Sequence, residues 1–299
     1  MPGKSIADLR MPPAEYRADR TTSRADGLLT FEKRKQACHE DMVRVCLLEK
    51  RASLLGKRNR KAARLLASKL ASQAVGEDTY NSPASAMAAR RTRLKLVGEV
   101  WKIADSAPRN QVATATLLKR GWCIAAESLA DFDPRALLAQ LRADIRRTGA
   151  FQAGGFLIAG LHADFEPYER RYQLHVHLLA TDSAIEAVDR LRHMSRYRSS
   201  SSDDDDDHVR QRVRLSRTPL TNLPDPITYL FQPFWPSRWI GTSPEGESIR
   251  QRIKARIPEP YHSEWLLWMD RWRFDDLVLL MGARIGRRGL ILSHERPCT

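Results

Sequence analysis

Gln173–Leu179, with the sequence QLHVHLL, alternates polar and apolar residues in the pattern of a β-strand. Side chains in a strand point alternately to opposite faces, so His175 and His177 share one face at a separation of roughly 6–7 Å. The leucines and the valine on the other face then pack into a core. Two neutral imidazoles on one rigid strand can bind a divalent metal if a third ligand comes from a neighbouring strand. The stretch therefore predicts a strand that carries part of a metal site.

The residues before this strand predict its hairpin partner. Gly154–Asp164 is mainly apolar and reads as a second strand, and the charged segment Glu166–Arg171 reads as the turn that follows it. His162, Asp164 and Glu166 occupy alternate positions, so all three side chains point to one face of the hairpin. We expect His162 to be the third metal ligand, with Asp164 or Glu166 as alternatives.

Further elements extend the prediction to a mixed fold. Gln111–Trp122 is rich in Val, Thr and Leu and predicts a strand, and Val209–Leu215 predicts another. Asp133 and Pro134 form an N-cap and a first-turn proline for a helix with an apolar stripe. A further helix is expected from Ser183 to about Tyr197. The pattern indicates an α+β fold with a central antiparallel sheet.

A short helix is expected within Asp225–Pro233, which has a proline near each end. Tyr229 and Gln232 are three residues apart, so a helix would place them on the same face. Tyr229 is either a reactive phenol or a packing residue in an aromatic segment. Both interpretations remain open from the sequence.

Charge points to a polyanionic partner. The 299 residues carry 50 Lys and Arg against 36 Asp and Glu, a formal charge of +14, which favours nucleic acid over an acidic membrane surface. No apolar run approaches the roughly 18 residues of a membrane span, and no signal peptide is expected at the start. The four cysteines lack CxxC pairing, so reduced thiols and a cytoplasmic location are expected.

Two basic stretches are candidates for DNA binding, although a charge run is also typical of a solvated helix face. The first is a predicted helix without acidic residues, and the second is a glycine- and arginine-rich turn near the C-terminus. The candidate DNA-binding residues are Arg51, Lys57, Arg58, Arg60, Lys61, Arg64, Arg284, Arg287 and Arg288.

The order of these elements, with His175-Val176-His177 on the strand and Tyr229-Leu230-Phe231-Gln232 on a later helix, resembles the HUH endonucleases. Among them it is most similar to the rolling-circle replication initiators of bacterial plasmids and phages. The resemblance covers about Gln111 to Ile240 and implies a ferredoxin- or RRM-like antiparallel sheet. It has one departure, because Gln232 stands where the family has a lysine.

The resemblance implies a specific reaction. Tyr229 would attack a phosphodiester of single-stranded DNA and form a 5′-phosphotyrosine, with position 232 as the second catalytic residue. Mn²⁺ or Mg²⁺, held by His175, His177 and the third ligand, would be the cofactor. The expected partners are single-stranded and duplex origin DNA, a host helicase and a polymerase, without a membrane. Two alternatives are a catalytically weakened DNA-binding or autoregulatory protein with this fold, and a relative among the single-strand transposases.

On this interpretation the chain divides into four parts. We expect, in order, a disordered tail, a basic helical region, the HUH-like catalytic domain with one disordered loop, and a helical region with packed tryptophans. Their predicted limits are residues 1–30, 31–105, 106–240 with the loop at 199–208, and 241–299, where helices are expected around Trp265–Trp272 and over Phe274–Met281.

Overall fold

A computed structural model describes most of the chain. The described residues are 4–18, 33–53, 57–75, 80–108, 111–152, 154–199, 211–216, 220–221, 223–232, 234–242, 248–250, 254–286 and 289–293. The predicted disordered loop falls almost entirely on residues 200–210, outside these ranges.

A six-stranded antiparallel sheet forms the centre of the fold and confirms the predicted α+β class. Its strands run in the order β5-β1-β4-β3-β8, and β2 pairs with the beginning of β4. The strands of this sheet are β1 (Val112–Leu117), β2 (Cys123–Ala125), β3 (Phe156–Glu166), β4 (Arg171–Thr181), β5 (Val213–Ser216) and β8 (Val278–Met281). Two small hairpins lie outside it, β6 (Ile240–Thr242) with β7 (Ser248–Arg250) and β9 (Ala283–Gly286) with β10 (Gly289–Leu292).

The long hairpin of β3 and β4 is the middle of this sheet. The two strands pair over their full length, and His162 lies directly opposite His175. Every residue of β3 is buried, because layers of side chains cover both faces of the sheet. A strand buried on both faces is expected to be almost continuously apolar, which explains why its polar side chains stand out in the sequence.

Helices pack on both faces. The described part of the chain contains α1 (Arg34–Ala52), α2 (Lys57–Val75), α3 (Ala86–Ser106), α4 (Pro134–Arg147), α5 (Ser183–Arg190), α6 (Asp225–Leu230) and α7 (Tyr261–Met269). The face that carries the histidines packs against α3 and α6, in a core with Ile158, Leu179 and Leu230. The other face packs against α4, α5 and α7, and the buried sides of α1 and α2 join that larger core.

Local sequence signals account for several of these elements. The carboxylate of Asp133 accepts a hydrogen bond of 2.9 Å from the amide of Arg135 and caps α4, as predicted. Trp265 and Trp268 of α7 are almost fully buried, which confirms that these indoles belong to the core. In the described residues no helix is both long and apolar enough to cross a membrane.

The helix predicted over Phe274–Met281 is wrong. Phe274–Leu277 is a single 3-10 turn, and Val278–Met281 is β8, which pairs with β3 at the edge of the central sheet. Short apolar runs cannot be assigned to helix or strand by periodicity alone, and here the unpaired edge of β3 selects the strand. The helical character expected for 241–299 therefore holds for α7 but not for the segment that follows it.

The disorder predicted for residues 1–30 is wrong for the described part, 4–18. The amide of Ile6 donates a hydrogen bond of 2.9 Å to Asp275, and Lys95 of α3 donates one of 2.9 Å to the carbonyl of Ala7. Tyr16 packs edge-on against Trp101 of α3 at 5.5 Å between ring centroids. This segment therefore covers α3, and residues 19–30 lie outside the described ranges.

Candidate functional site

Three histidines of the central hairpin lie together on the α3 and α6 side of the sheet. The ring centroids are 4.7 Å apart for His175 and His177, 5.1 Å for His162 and His177, and 6.0 Å for His162 and His175. All three side chains are less than one-tenth exposed. The structure thus brings His162 to the pair on the face that the alternation along the strand predicted, directly opposite His175.

The end of α6 lies close to the sheet and covers one side of this histidine cluster. Gly160 lies opposite His177 in the hairpin, and a Cβ atom at position 160 would come within 2.1 Å of the carbonyl oxygen of Leu230. Glycine is therefore required for α6 to end so close to β3. The same carbonyl accepts a hydrogen bond of 2.7 Å from Nε2 of His162.

The electrostatic environment keeps His162 and His177 neutral. Burial, reinforced by His175, lowers the pKa of His162 to about 3. Burial and the neighbouring imidazoles also hold the pKa of His177 well below its usual value. Neutral imidazole is the form that ligates metal ions, so the chemistry of these side chains suits a metal.

Hydrogen bonds orient two of the rings. Nδ1 of His177 lies 3.0 Å from Oγ1 of Thr116 on β1, and Nδ1 of His175 lies 3.3 Å from the carbonyl oxygen of Gln173. Each ring uses Nδ1 in these contacts, so Nε2 is the nitrogen that a metal would contact. Thr116 was not singled out by sequence reasoning, since only the pairing of β1 with β4 brings it to His177.

The third ligand position is not formed. Nε2 of His162 is engaged by Leu230, and no three His, Cys, Asp or Glu side chains of the described ranges are arranged to hold a metal ion. Asp164 lies on the same face but pairs with Arg238 at 3.2 Å, and Glu166 accepts a hydrogen bond of 3.2 Å from the amide of Tyr168. The side chains on this face are therefore of the types that ligate metals. Only His175 and His177 are left in a position to do so, because His162, Asp164 and Glu166 are engaged elsewhere.

Tyr229 lies beside this cluster. Its ring is 4.5 Å from that of His177, in an edge-to-face arrangement, and 41% of the residue is exposed. Asp225 lies in the first turn of α6, and the N-cap is Pro224. The end of α6 presents the phenol to solvent at the edge of the histidine cluster.

Gln232 and Tyr229 do not share a face, contrary to the prediction. The helix ends at Leu230, and Phe231 leaves the helical conformation with φ −126°. Gln232 lines an inner cavity of about 60 Å³ together with Arg93 and His162, whereas Tyr229 lines a separate outer groove. The departure at position 232 therefore lies away from the phenol.

A cation that sequence reasoning missed lies at Tyr229. Nζ of Lys254 is 5.2 Å from the centroid of the Tyr229 ring, on the ring face. No motif marks this lysine, because it lies 25 positions beyond the tyrosine and reaches it only through the fold. Arg238, another cation that follows α6 in the sequence, is paired with Asp164.

A second tyrosine, Tyr197, is inaccessible to a substrate. Tyr197 is fully buried, and its hydroxyl donates a hydrogen bond of 3.0 Å to Asp144, which also pairs with Lys119 at 2.6 Å. Burial, followed by the charge of Asp144, raises the pKa of this phenol far above its usual value. Tyr197 is thus a structural residue.

The predicted DNA-binding residues do not converge on the histidines. Lys57, Arg60, Lys61 and Arg64 form an exposed face of α2, whose buried side belongs to the core on the opposite face of the sheet. Arg51 is half-buried at the end of α1. Arg284 is exposed on β9. The side chain of Arg58, and Arg287 and Arg288 altogether, lie outside what the structure describes.

Comparison of the chain with models of known protein families, with curated proteins and with solved structures yields no match.

Proposed function

We propose that this protein nicks and rejoins single-stranded DNA as a replication initiator of the rolling-circle type, with Tyr229 as the nucleophile. The observation that carries the proposal is the position of Tyr229, a partly exposed phenol in ring contact with His177 of the buried three-histidine cluster. The antiparallel sheet with the histidine pair on a central strand supports the same interpretation.

The proposed step transfers a phosphoryl group to the protein. The hydroxyl of Tyr229 gives up its proton and its oxygen forms a bond to phosphorus, the bond from phosphorus to the 3′-oxygen breaks, and the 3′-oxygen takes up a proton, so that no proton is gained or lost overall. The products are a 5′-phosphotyrosine and a DNA end with a free 3′-hydroxyl, and attack by that hydroxyl reverses the step. The energy of the phosphodiester is thereby kept for rejoining.

A divalent metal, Mn²⁺ or Mg²⁺, is part of the proposal. His175 and His177 would hold it through Nε2, and His162 would join them once its hydrogen bond to Leu230 is released. Such an ion, when bound, stabilises negative charge on the non-bridging oxygens of a phosphodiester. Thr116 positions the ring of His177 for this role.

Removal of the histidine pair tests the metal directly. We expect the double variant His175→Ala and His177→Ala to lose Mn²⁺ affinity by at least about 100-fold, since two ligands disappear. Isothermal titration calorimetry measures this loss, and His193→Ala, which removes an exposed histidine elsewhere, serves as the control. Equal Mn²⁺ affinity in the double variant and the wild type would remove the metal site from the proposal.

Lys254 supplies the positive charge that Gln232 does not. An ammonium group over an aromatic ring is stabilised by about 0.5–2 kcal/mol, and it places a cation where a DNA phosphate approaches the phenol. We expect Lys254→Ala to slow single-turnover nicking about tenfold, the equivalent of about 1.4 kcal/mol, and Lys254→Arg to retain most of the rate. Gln232→Lys should give no gain, because position 232 lines the inner cavity. If Lys254→Arg nicked slowly and Gln232→Lys nicked faster than the wild type, the required positive charge would belong at position 232 instead.

A protein that binds origin DNA without cleaving it is the second candidate. The glutamine at position 232 favours it, as does the incomplete ligand set among the residues that the structure describes. Incubation of the protein and Mn²⁺ with a pool of randomised, end-labelled single-stranded oligonucleotides separates the two candidates. Nicked products and covalent adducts on a denaturing gel are expected for the initiator, as for the transposase alternative, and binding without either product supports the second candidate.

A further inference from the structure

An open groove of about 310 Å³ begins at His177 and Tyr229 and runs toward the β5 edge of the sheet. Its volume lies within the roughly 300–1,000 Å³ that is usual for ligand sites. The inner cavity beside His162 holds only about 60 Å³. The groove is therefore the larger space next to the candidate nucleophile.

The floor of this groove is a polar patch set by strand register. Thr116 lies opposite His177 of β4 on one side and opposite Arg214 of β5 on the other. Two residues away, Thr114 lies opposite Ser216. Side chains two apart in a strand share a face, so these four residues continue the histidine face of the sheet.

The chemistry of the patch is that of an anion site. Three hydroxyl groups and one guanidinium line it, and the lining contains no Asp or Glu. Arg214 is exposed and forms no ion pair within the described ranges. A guanidinium flanked by hydroxyls matches the hydrogen-bond acceptors of a phosphate.

We propose that this groove binds the phosphodiester backbone of the DNA strand beside the cleavage site, with Arg214 as the phosphate-binding residue. This inference rests on the proposed function. Arg214 lies two strand spacings from His177, about 10 Å. Successive phosphates of one strand are at least about 3.4 Å apart along the axis, so the phosphate bound by Arg214 lies within three nucleotides of the scissile one.

The same geometry gives the path of the bound DNA strand. The groove leaves the cluster on the β1 and β5 side, while α3 and the β9–β10 hairpin cover the β3 and β8 side. A DNA strand that enters at Tyr229 therefore continues over β1 and β5.

Phosphate contacts carry no sequence information, so an oligothymidylate can serve as the probe.

The test measures binding in the full chain carrying Tyr229→Phe, which prevents covalent chemistry. Loss of one phosphate contact lowers the salt slope of single-strand binding by about 0.7, which is about eightfold in affinity at about 50 mM salt. We expect both changes for Arg214→Ala in fluorescence anisotropy with a labelled oligothymidylate, and we expect Arg214→Lys to keep the slope. Arg142→Ala is the matched control, because it removes an exposed arginine from α4 on the opposite face of the sheet.

The outcomes separate the two proposals. An unchanged slope in Arg214→Ala, with binding intact, would overturn the groove assignment and leave the proposed function standing. Equal losses of affinity and salt slope in Arg214→Ala and Arg142→Ala would also overturn it, since the losses would then reflect the overall charge of the protein and not a contact in the groove. Failure of the parent protein to bind single-stranded DNA at all would overturn both proposals.

Discussion

Tyr229→Phe should abolish nicking and the covalent protein–DNA adduct while DNA binding remains. The substitution keeps the ring that packs on His177 and removes only the oxygen that attacks phosphorus. Removal of a nucleophile typically lowers the rate by about 10³-fold or more. The free energy of unfolding should change by less than about 0.5 kcal/mol, because the lost hydroxyl is at a partly exposed position.

The matched control is Tyr168→Phe. Tyr168 is also exposed, at 75%, but it packs against Trp239 and away from the histidines. We expect it to nick at the wild-type rate. Residual nicking in Tyr229→Phe at more than a tenth of that rate would assign the reaction to another group.

Among the substitutions proposed for this protein, Glu40→Gln should lower the free energy of unfolding the most. Glu40 is buried in α1, where it accepts hydrogen bonds from Arg44 at 3.0 Å and from Arg256 at 2.7 Å. Removing one partner of a buried ion pair costs about 3–5 kcal/mol, because the remaining charges are left uncompensated. Chemical denaturation at neutral pH measures this loss. The exposed pair of Glu186 with Arg190 provides the control, since Glu186→Gln should cost less than about 1 kcal/mol.

The same carboxylate makes stability depend on pH in a defined range. Burial alone would raise the pKa of Glu40, but hydrogen bonds and charge from Arg256 and Arg44 outweigh burial and lower it to about 2. A depressed folded-state pKa stabilises the protein above the unfolded value of 4.5, and this contribution, on the order of 3 kcal/mol, is lost as pH falls toward 2. The difference in stability between wild type and Glu40→Gln should therefore shrink between about pH 4.5 and 2. A difference that stays constant over this range would contradict the ion-pair account.

Alternation within the chain was sufficient to predict the centre of the fold. The period of two in β4, the parity of His162 in β3 and the cap of α4 are local signals, and each produced the element that it predicted. Parity placed His162 on the correct face of the hairpin, but it did not specify the register that sets His162 opposite His175.

Non-local contacts account for what the sequence did not reveal. Val278–Met281 becomes a strand because β3 offers an unpaired edge, which no pattern within those residues records. The helix α6 ends at Leu230, where the chain lies against Gly160 of β3, and Gln232 is thereby separated from Tyr229. Lys254 and Thr116 reach the site only through tertiary packing, and neither has a spacing that marks it in advance.

The most direct test of the central claim is to identify the residue that becomes bound to DNA. The wild-type protein is incubated with Mn²⁺ and single-stranded oligonucleotides, the adduct is isolated under denaturing conditions, and its peptides are sequenced by mass spectrometry after nuclease digestion. The account predicts a nucleotide attached through its 5′-phosphate to Tyr229. A nucleotide on any other residue, or nicked DNA without an attached peptide, would contradict it.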